Sequence, residues 1–99
     1  MMIRTAPADG PGEGVVCPRG RMVVRSRRSG DELTTKGGTK SLKKRFIDRK
    51  IPQWERSAVP VVADEAGVLA VAGFGTDEKR KTGGDYVRIE FVIFSGDAE

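Results

Sequence analysis

Hydrophobic and polar residues alternate most regularly near the C-terminal end of the chain. The apolar members of this pattern are Val87, Ile89, Phe91 and Ile93. A period of two over this length predicts a half-buried strand. Just before it, apolar runs at 59–64 and 67–72 are separated by a Glu-Ala-Gly turn, which predicts a β-hairpin. A shorter apolar run at 21–26, followed by a turn at 29–31, predicts one more strand.

A helix is predicted over residues 42–49. Thr39 or Ser41 can cap its start by accepting a hydrogen bond from a backbone N–H. Pro52 is expected to end it, because the residue before a proline is disfavoured in the α region. Trp54, just beyond that proline, is expected to fill the core, with stacking on a nucleotide base as the alternative. The apolar stripe that should hold the helix on the sheet is Leu42, Phe46 and Ile47.

The order strand, helix, hairpin, strand predicts an α+β fold with a small, mainly antiparallel sheet and one principal helix. A chain of 99 residues fits one domain. Residues 1–20 are rich in glycine and proline and are predicted to be a flexible linker or tail. The folded domain is predicted over 21–95, and 96–99 are expected to form a disordered tail.

Residue types needed for catalysis or metal binding are scarce. The chain has no histidine, which removes the commonest general acid–base group and the commonest metal ligand. Cys17 is the single cysteine, so neither an intrachain disulfide nor a zinc cluster is expected, and a reducing cytoplasmic location is favoured. No apolar run is long enough to span a membrane, and the start lacks a secretory signal. We therefore expect no catalytic residue, metal or cofactor in this chain.

The charge is unevenly distributed. The formal net charge is +4, but residues 1–57 hold 14 Lys and Arg against 6 Asp and Glu, whereas 58–99 hold 4 against 8. Residues 36–50 alone carry a balance of +6. A basic helix after a Gly-Gly loop could offer side-chain cations and N-terminal amides to phosphates. The alternative is an ordinary solvated face. The primary candidates are Lys40, Lys43, Lys44, Arg45 and Arg49, and the secondary ones are Arg25, Arg27, Arg28 and Arg56.

The segment 39–56, which reads TKSLKKRFIDRKIPQWER, resembles the C-terminal domain of bacterial tRNA(Ile)-lysidine synthetase. In that family a basic helix leads to Lys-Ile-Pro-x-Trp-x-Arg. The strand at 61–64, the Val-Ala-Gly at 71–73 and the arginine-rich run with its Gly-Asp turn at 25–31 match the family pattern as well. The resemblance covers roughly residues 21–94. Residues 1–20 and the insertion at 82–85 depart from it.

The resemblance implies a reaction that this chain would not perform alone. The complete enzyme uses ATP and Mg to adenylate the wobble cytidine of tRNA(Ile), and lysine then displaces AMP. That chemistry belongs to a PP-loop domain with a Ser-Gly-Gly-x-Asp-Ser signature, which is absent here. In this family the C-terminal domain holds the tRNA, chiefly around the acceptor stem. Its fold is shared with a domain of the phenylalanyl-tRNA synthetase β subunit.

The leading hypothesis is thus an accessory tRNA-binding domain that works with a PP-loop catalytic domain. A protein-interaction module without RNA affinity is the alternative, either docking on the catalytic domain or forming a homodimer through an exposed strand edge. An autonomous small enzyme is the least favoured hypothesis.

Overall fold

The computed structural model describes residues 2–92. The strands in this part of the chain are β1 (Met2–Ala8), β2 (Val15–Val16), β3 (Val23–Arg25), β4 (Glu32–Thr35), β5 (Gly38–Ser41), β6 (Val61–Asp64), β7 (Gly67–Val71), β8 (Gly75–Thr76) and β9 (Tyr86–Val92). Helices α1 (Leu42–Asp48) and α2 (Gln53–Arg56) lie between β5 and β6, and a 3-10 helix spans Glu78–Arg80. No helix within these residues is long and apolar enough to cross a membrane.

The strands form three antiparallel arrangements. A four-stranded sheet has the order β3-β6-β7-β8, and a three-stranded sheet has the order β1-β9-β2. Strands β4 and β5 form a separate hairpin that leads directly into α1. The predicted α+β fold with mainly antiparallel strands is therefore confirmed.

Two hydrophobic clusters hold these layers together. One joins α1 and the β4–β5 hairpin to the four-stranded sheet, and its buried members are Leu33, Leu42, Phe46, Val61, Val68 and Val71. The other joins the four-stranded to the three-stranded sheet, and its buried members are Val16, Val62, Leu69, Ala70 and Ile89. Since neighbouring strand residues point to opposite faces, Val61 and Val62 serve different clusters.

The predicted hairpin is present as β6 and β7, and the regular last strand is present as β9. Ile93 and the predicted tail at 96–99 lie outside the described residues. The strand predicted at 21–26 is shorter, covering only Val23–Arg25. A hairpin between β4 and β5 was not predicted, because its strands are four residues long and mostly polar.

The prediction that residues 1–20 form a flexible linker is wrong. All seven residues of β1 pair with β9, from Met2 opposite Val92 to Ala8 opposite Tyr86. The side chains of β1 are largely exposed, so burial imposes no alternating pattern, and the backbone groups that form the ladder are common to most sequences. Further along, Val15, Val16 and Cys17 are buried.

Two apolar side chains that were expected in the core lie at the surface. Ile47 is 47% exposed and Trp54 is 78% exposed. Helix α1 has only seven residues, and Leu42 and Phe46 are its buried positions. The helix also ends earlier than Pro52: Lys50 adopts a φ of 57°, and its N–H donates to Ile47 O at 2.9 Å. Pro52 instead occupies the N-cap position of α2.

Candidate functional site

An open groove with a volume of about 470 Å³ lies where the β3–β4 turn, α1 and α2 meet. Its lining is polar and basic, and consists of Ser26, Arg27, Ser29, Lys43, Gln53, Arg56 and Ser57. No carboxylate lines it, and in the described part of the chain none forms a salt bridge with its three cations. The groove is therefore a concentration of positive charge with hydroxyl and amide groups beside it.

The β3–β4 turn is held in shape by Asp31. The carboxylate of Asp31 accepts two hydrogen bonds from the Arg25 guanidinium, at 2.7 and 3.1 Å, and one from the Arg28 N–H at 2.7 Å. Gly30, with a φ of 90°, supplies the left-handed residue that the turn requires. This bonding fixes the backbone on both sides of Arg27 and Ser29, which line the groove.

The electrostatics of Asp31 agree with this role. Burial alone would raise its pKa, but the hydrogen bonds from Arg25 and Arg28 and their positive charges outweigh burial. The pKa of Asp31 therefore lies below its ordinary value of 3.8. The carboxylate stays ionised at neutral pH and keeps Arg25 engaged.

Helix α1 presents Lys43 to the groove because its opposite side is buried. Ser41 caps the helix by accepting a hydrogen bond from the Lys44 N–H at 3.1 Å, which confirms one of the two predicted caps. Leu42 and Phe46 are fully buried beneath it. The expectation that N-terminal amides would serve phosphates is not met at Leu42 or Lys44, since the Leu42 N–H already donates to Asp31 O at 2.9 Å.

The turn after α1 places α2 beside the groove. Lys50 N–H bonds to Ile47 O and Ile51 N–H bonds to Phe46 O, the pattern of a Schellman motif with lysine in the usual glycine position. Arg56 Nε then donates to Ile51 O at 2.9 Å.

The far end of α2 is fixed to the strand side. Ser26 Oγ donates to Ser57 O at 2.7 Å, so a residue from each side of the groove takes part in the same hydrogen bond. This bond links the β3–β4 turn directly to the end of α2.

The nine cations predicted from the sequence fall into separate places. Arg27, Lys43 and Arg56 meet in the groove. Arg28 is exposed at the adjoining turn. Arg25 is only 15% exposed in its pair with Asp31. Arg27, Lys43 and Arg56 therefore share one surface, Arg28 adjoins it, and Arg25 is engaged within the protein.

Three of the remaining four form a second basic area around Asp48 and Phe74. Lys40 and Lys44 both approach Asp48, at 3.4 and 3.6 Å. Arg49 donates to Gly73 O at 3.1 Å and lies 4.3 Å from the centre of the Phe74 ring. This second basic area is partly neutralised.

Arg45, the fourth, lies on α1 and binds this helix to the β4–β5 hairpin. Its guanidinium donates to Leu33 O at 2.7 and 3.2 Å and to Gly38 O at 2.9 Å. These bonds draw the side chain inward and away from the groove.

Sequence reasoning missed the neutral part of the groove: Ser26, Ser29, Gln53 and Ser57. Short polar residues near arginines are common in turns, and no periodicity connects segments this far apart. Within residues 2–92 no group of three or more His, Cys, Asp or Glu residues is placed to hold a metal ion.

The comparison with protein families decides the assignment. The family described as the TilS substrate C-terminal domain matches residues 22–91, more than two thirds of the chain. The chain belongs to this family.

Individual relatives agree with this membership. The chain is 40% identical over 63 residues to the tRNA(Ile)-lysidine synthase of Clostridioides difficile (strain 630), and 45% identical over 65 residues to that of Caldanaerobacter subterraneus subsp. tengcongensis. Each match covers 64% of this chain and 14% of the relative, so the chain spans about a seventh of the synthases' length.

A solved structure described as the crystal structure of the TILS C-terminal domain has the same fold. It aligns with a TM-score of 0.63 at 30% identity, covering 89% of this chain and 80% of the other. The resemblance noted from the sequence is thereby confirmed.

Proposed function

We propose that this domain binds tRNA for a tRNA(Ile)-lysidine synthase, and that the groove holds the RNA backbone. The observation that carries the proposal is the convergence of Arg27, Lys43 and Arg56 on one concave surface without a carboxylate. Cations at this density release counterions when they bind phosphates, and this release drives association with nucleic acids.

The hydrogen-bonding groups of the groove suit a phosphate backbone. Arginine offers a planar set of donors that matches phosphate oxygens, and lysine adds a compact point charge. The Ser29 and Ser57 hydroxyls and the Gln53 amide can donate to phosphate or sugar oxygens beside them, whereas the Ser26 hydroxyl already donates to Ser57 O. Contacts of this kind position an RNA without identifying its sequence.

The proposed partners follow from family membership. The tRNA would be held around its acceptor stem, and the chemistry would be performed by a PP-loop domain using ATP and Mg, so this chain would contribute binding and no catalytic residue. We also propose that the chain works in the cytoplasm. Lys40 and Lys44 would add weaker attraction, because Asp48 offsets part of their charge. Arg49 and Arg28 would add longer-range attraction from outside the groove. Arg25 and Arg45 would act indirectly, by shaping the turn and the hairpin.

The test is a salt-dependent titration of the chain against tRNA(Ile). Replacing Arg27 and Lys43 together by alanine should reduce the slope of log affinity against log salt by about 2, or about 1 for each lost phosphate contact. The matched control is the double alanine variant of Lys36 and Lys79, which removes the same charge from exposed sites outside the groove.

If the groove variant and the control change the slope equally, only net charge matters and the proposed site is wrong. If the unmodified chain has no affinity for tRNA at any salt concentration, the proposed function fails. A mass that rises with protein concentration would then favour self-association, for which β1 offers an edge that is unpaired within the described residues.

A further inference from the structure

Trp54 is the most exposed large hydrophobic residue of the described chain, with 78% of its surface accessible. A single exposed apolar residue is ordinary on a protein surface and needs no special explanation. The position of this one is informative, because its neighbours Gln53 and Arg56 both line the cationic groove. An aromatic face and a phosphate-binding groove thus belong to the same short helix.

Helix α2 is a single turn, so its exposed indole and its groove side lie on one short segment. Successive helix residues are rotated by about 100°, so residues three apart share a side and the two residues between them project away from that side. Gln53 and Arg56 share the groove side, and Trp54 projects from the solvent side of the same turn. A helix with its side chains is only about 10–12 Å across, so an RNA strand that leaves the groove can extend over the indole. The backbone here is anchored by the bonds from Arg56 Nε to Ile51 O and from Ser26 Oγ to Ser57 O. An aromatic ring on an anchored turn loses little freedom on binding.

We infer, building on the proposed function, that Trp54 stacks on an unpaired base of the RNA whose phosphates occupy the groove. Bases within a duplex are already stacked on one another, so only an unpaired nucleotide can offer its face to an indole. The neighbouring Glu55 is exposed and would repel phosphate, which favours a base rather than the backbone on this side. The domain would then bind the junction between a duplex and a single strand.

A single-tryptophan chain allows this contact to be observed directly. All tryptophan emission comes from Trp54, since the chain contains one tryptophan. The probes are two RNA hairpins with identical duplexes and equally long single-stranded tails, one carrying purine bases and the other abasic. Both tails have the same phosphates, so they differ only in the bases available for stacking. We expect the tail with bases to quench the emission and the abasic tail to leave it nearly unchanged.

Substitution provides the second measurement, with binding followed by the anisotropy of labelled hairpins. Trp54→Ala should weaken binding of the hairpin with bases about tenfold, within the range found for loss of one base–aromatic stack. It should leave binding of the abasic hairpin unchanged, and Trp54→Phe should retain most of the affinity. Because the side chain is exposed, none of these variants disturbs the core.

The outcomes separate this inference from the proposed function. Equal losses for both hairpins, or equal quenching by both tails, would overturn stacking. If Trp54→Ala changes nothing while the Arg27 and Lys43 variant weakens binding, stacking fails and the groove stands. If Trp54→Ala changes the mass of the assembly in solution, or binding to the catalytic domain, but not RNA affinity, a protein partner occupies this surface and the inference is wrong. Absence of binding to either hairpin by the unmodified chain would remove both proposals.

Discussion

Arg25 and Arg27 are two residues apart, and Lys43 and Arg45 are two residues apart, yet each pair divides between two regions of the molecule. Arg25 and Arg45 are bonded to the protein itself, through Asp31 and through the carbonyls of Leu33 and Gly38. Arg27 and Lys43 line the open groove. We call the first group the framework cations and the second the groove cations. Arg80, bonded to Asp64, belongs to the framework and Arg56 to the groove.

The difference shows that positive charge in this sequence serves two purposes. A framework cation compensates a carboxylate or carbonyl that would otherwise be buried without a partner, which is costly. A groove cation has no carboxylate partner among the described residues, and its charge remains accessible to an external anion even at Arg56, whose Nε donates to the Ile51 carbonyl. Substitutions in the first group should therefore reduce stability, and substitutions in the second should reduce binding.

The largest effect should come from breaking the framework pair at Asp64. Its side chain is fully buried and accepts hydrogen bonds from Arg80, from the Arg19 N–H and from the Ala66 N–H. Asp64→Asn leaves Arg80 without its counter-charge, and we expect a loss of about 3 kcal/mol in the free energy of unfolding. Urea unfolding measures this, with Asp85→Asn at an exposed site as the control. Equal midpoints for the two variants would contradict the framework role.

A somewhat smaller effect should follow from Arg45→Ala. This change leaves the Leu33 carbonyl, at a fully buried residue, without its donor, and we expect a loss of about 2 kcal/mol in stability. The matched control on the same helix is Lys43→Ala, which should stay within about 0.5 kcal/mol of the parent. If Lys43→Ala were the more destabilising of the two, the division between framework and groove would be wrong.

Acidic pH should reduce the stability that comes from the carboxylate partners of the framework cations, Asp31 and Asp64. Burial by itself raises the pKa of Asp64, but hydrogen bonds from Arg80, Arg19 and Ala66 lower it below 3.8, as their counterparts do for Asp31. Carboxylates with depressed folded-state pKa values stabilise fully above the unfolded value, and this contribution is lost as the pH falls through the folded value. Unfolding midpoints measured from neutral pH into this acidic range should therefore drop, and Asp31→Asn should flatten the decline. An undiminished decline in that variant would exclude Asp31 as a cause.

The parts of the fold that were predictable from sequence are those with a strong local pattern. The Ser41 cap, the Leu42 and Phe46 spacing and the alternation in β9 each arise from neighbouring residues. Strand β1 was missed because its partner β9 lies at the other end of the chain and its own side chains are mostly exposed. Long-range backbone pairing leaves no periodic trace in such a strand.

The candidate site was predictable only as a set of charges. The sequence identified Arg27, Lys43 and Arg56 together with six other cations, and could not separate them, because Arg45 and Lys43 differ only in what the fold places beside them. The position of Trp54 just beyond the helix and Pro52 predicts a core residue, but its side chain is exposed. Helix α1 buries only Leu42 and Phe46, so Ile47 stays exposed. Trp54 belongs to a separate helix, α2, which has no buried residue.

The most direct test of the central claim is to observe the side-chain N–H signals of lysine and arginine by NMR while tRNA is added. We expect the largest changes at Arg27, Lys43 and the terminal Nη groups of Arg56, reversed by added salt. Arg25 and Arg45 should be nearly unaffected, because their terminal guanidinium nitrogens are bonded within the protein. If the largest changes occur instead at Lys79 and Arg80, which lie outside the groove in the acidic half of the chain at 58–99, the account is contradicted.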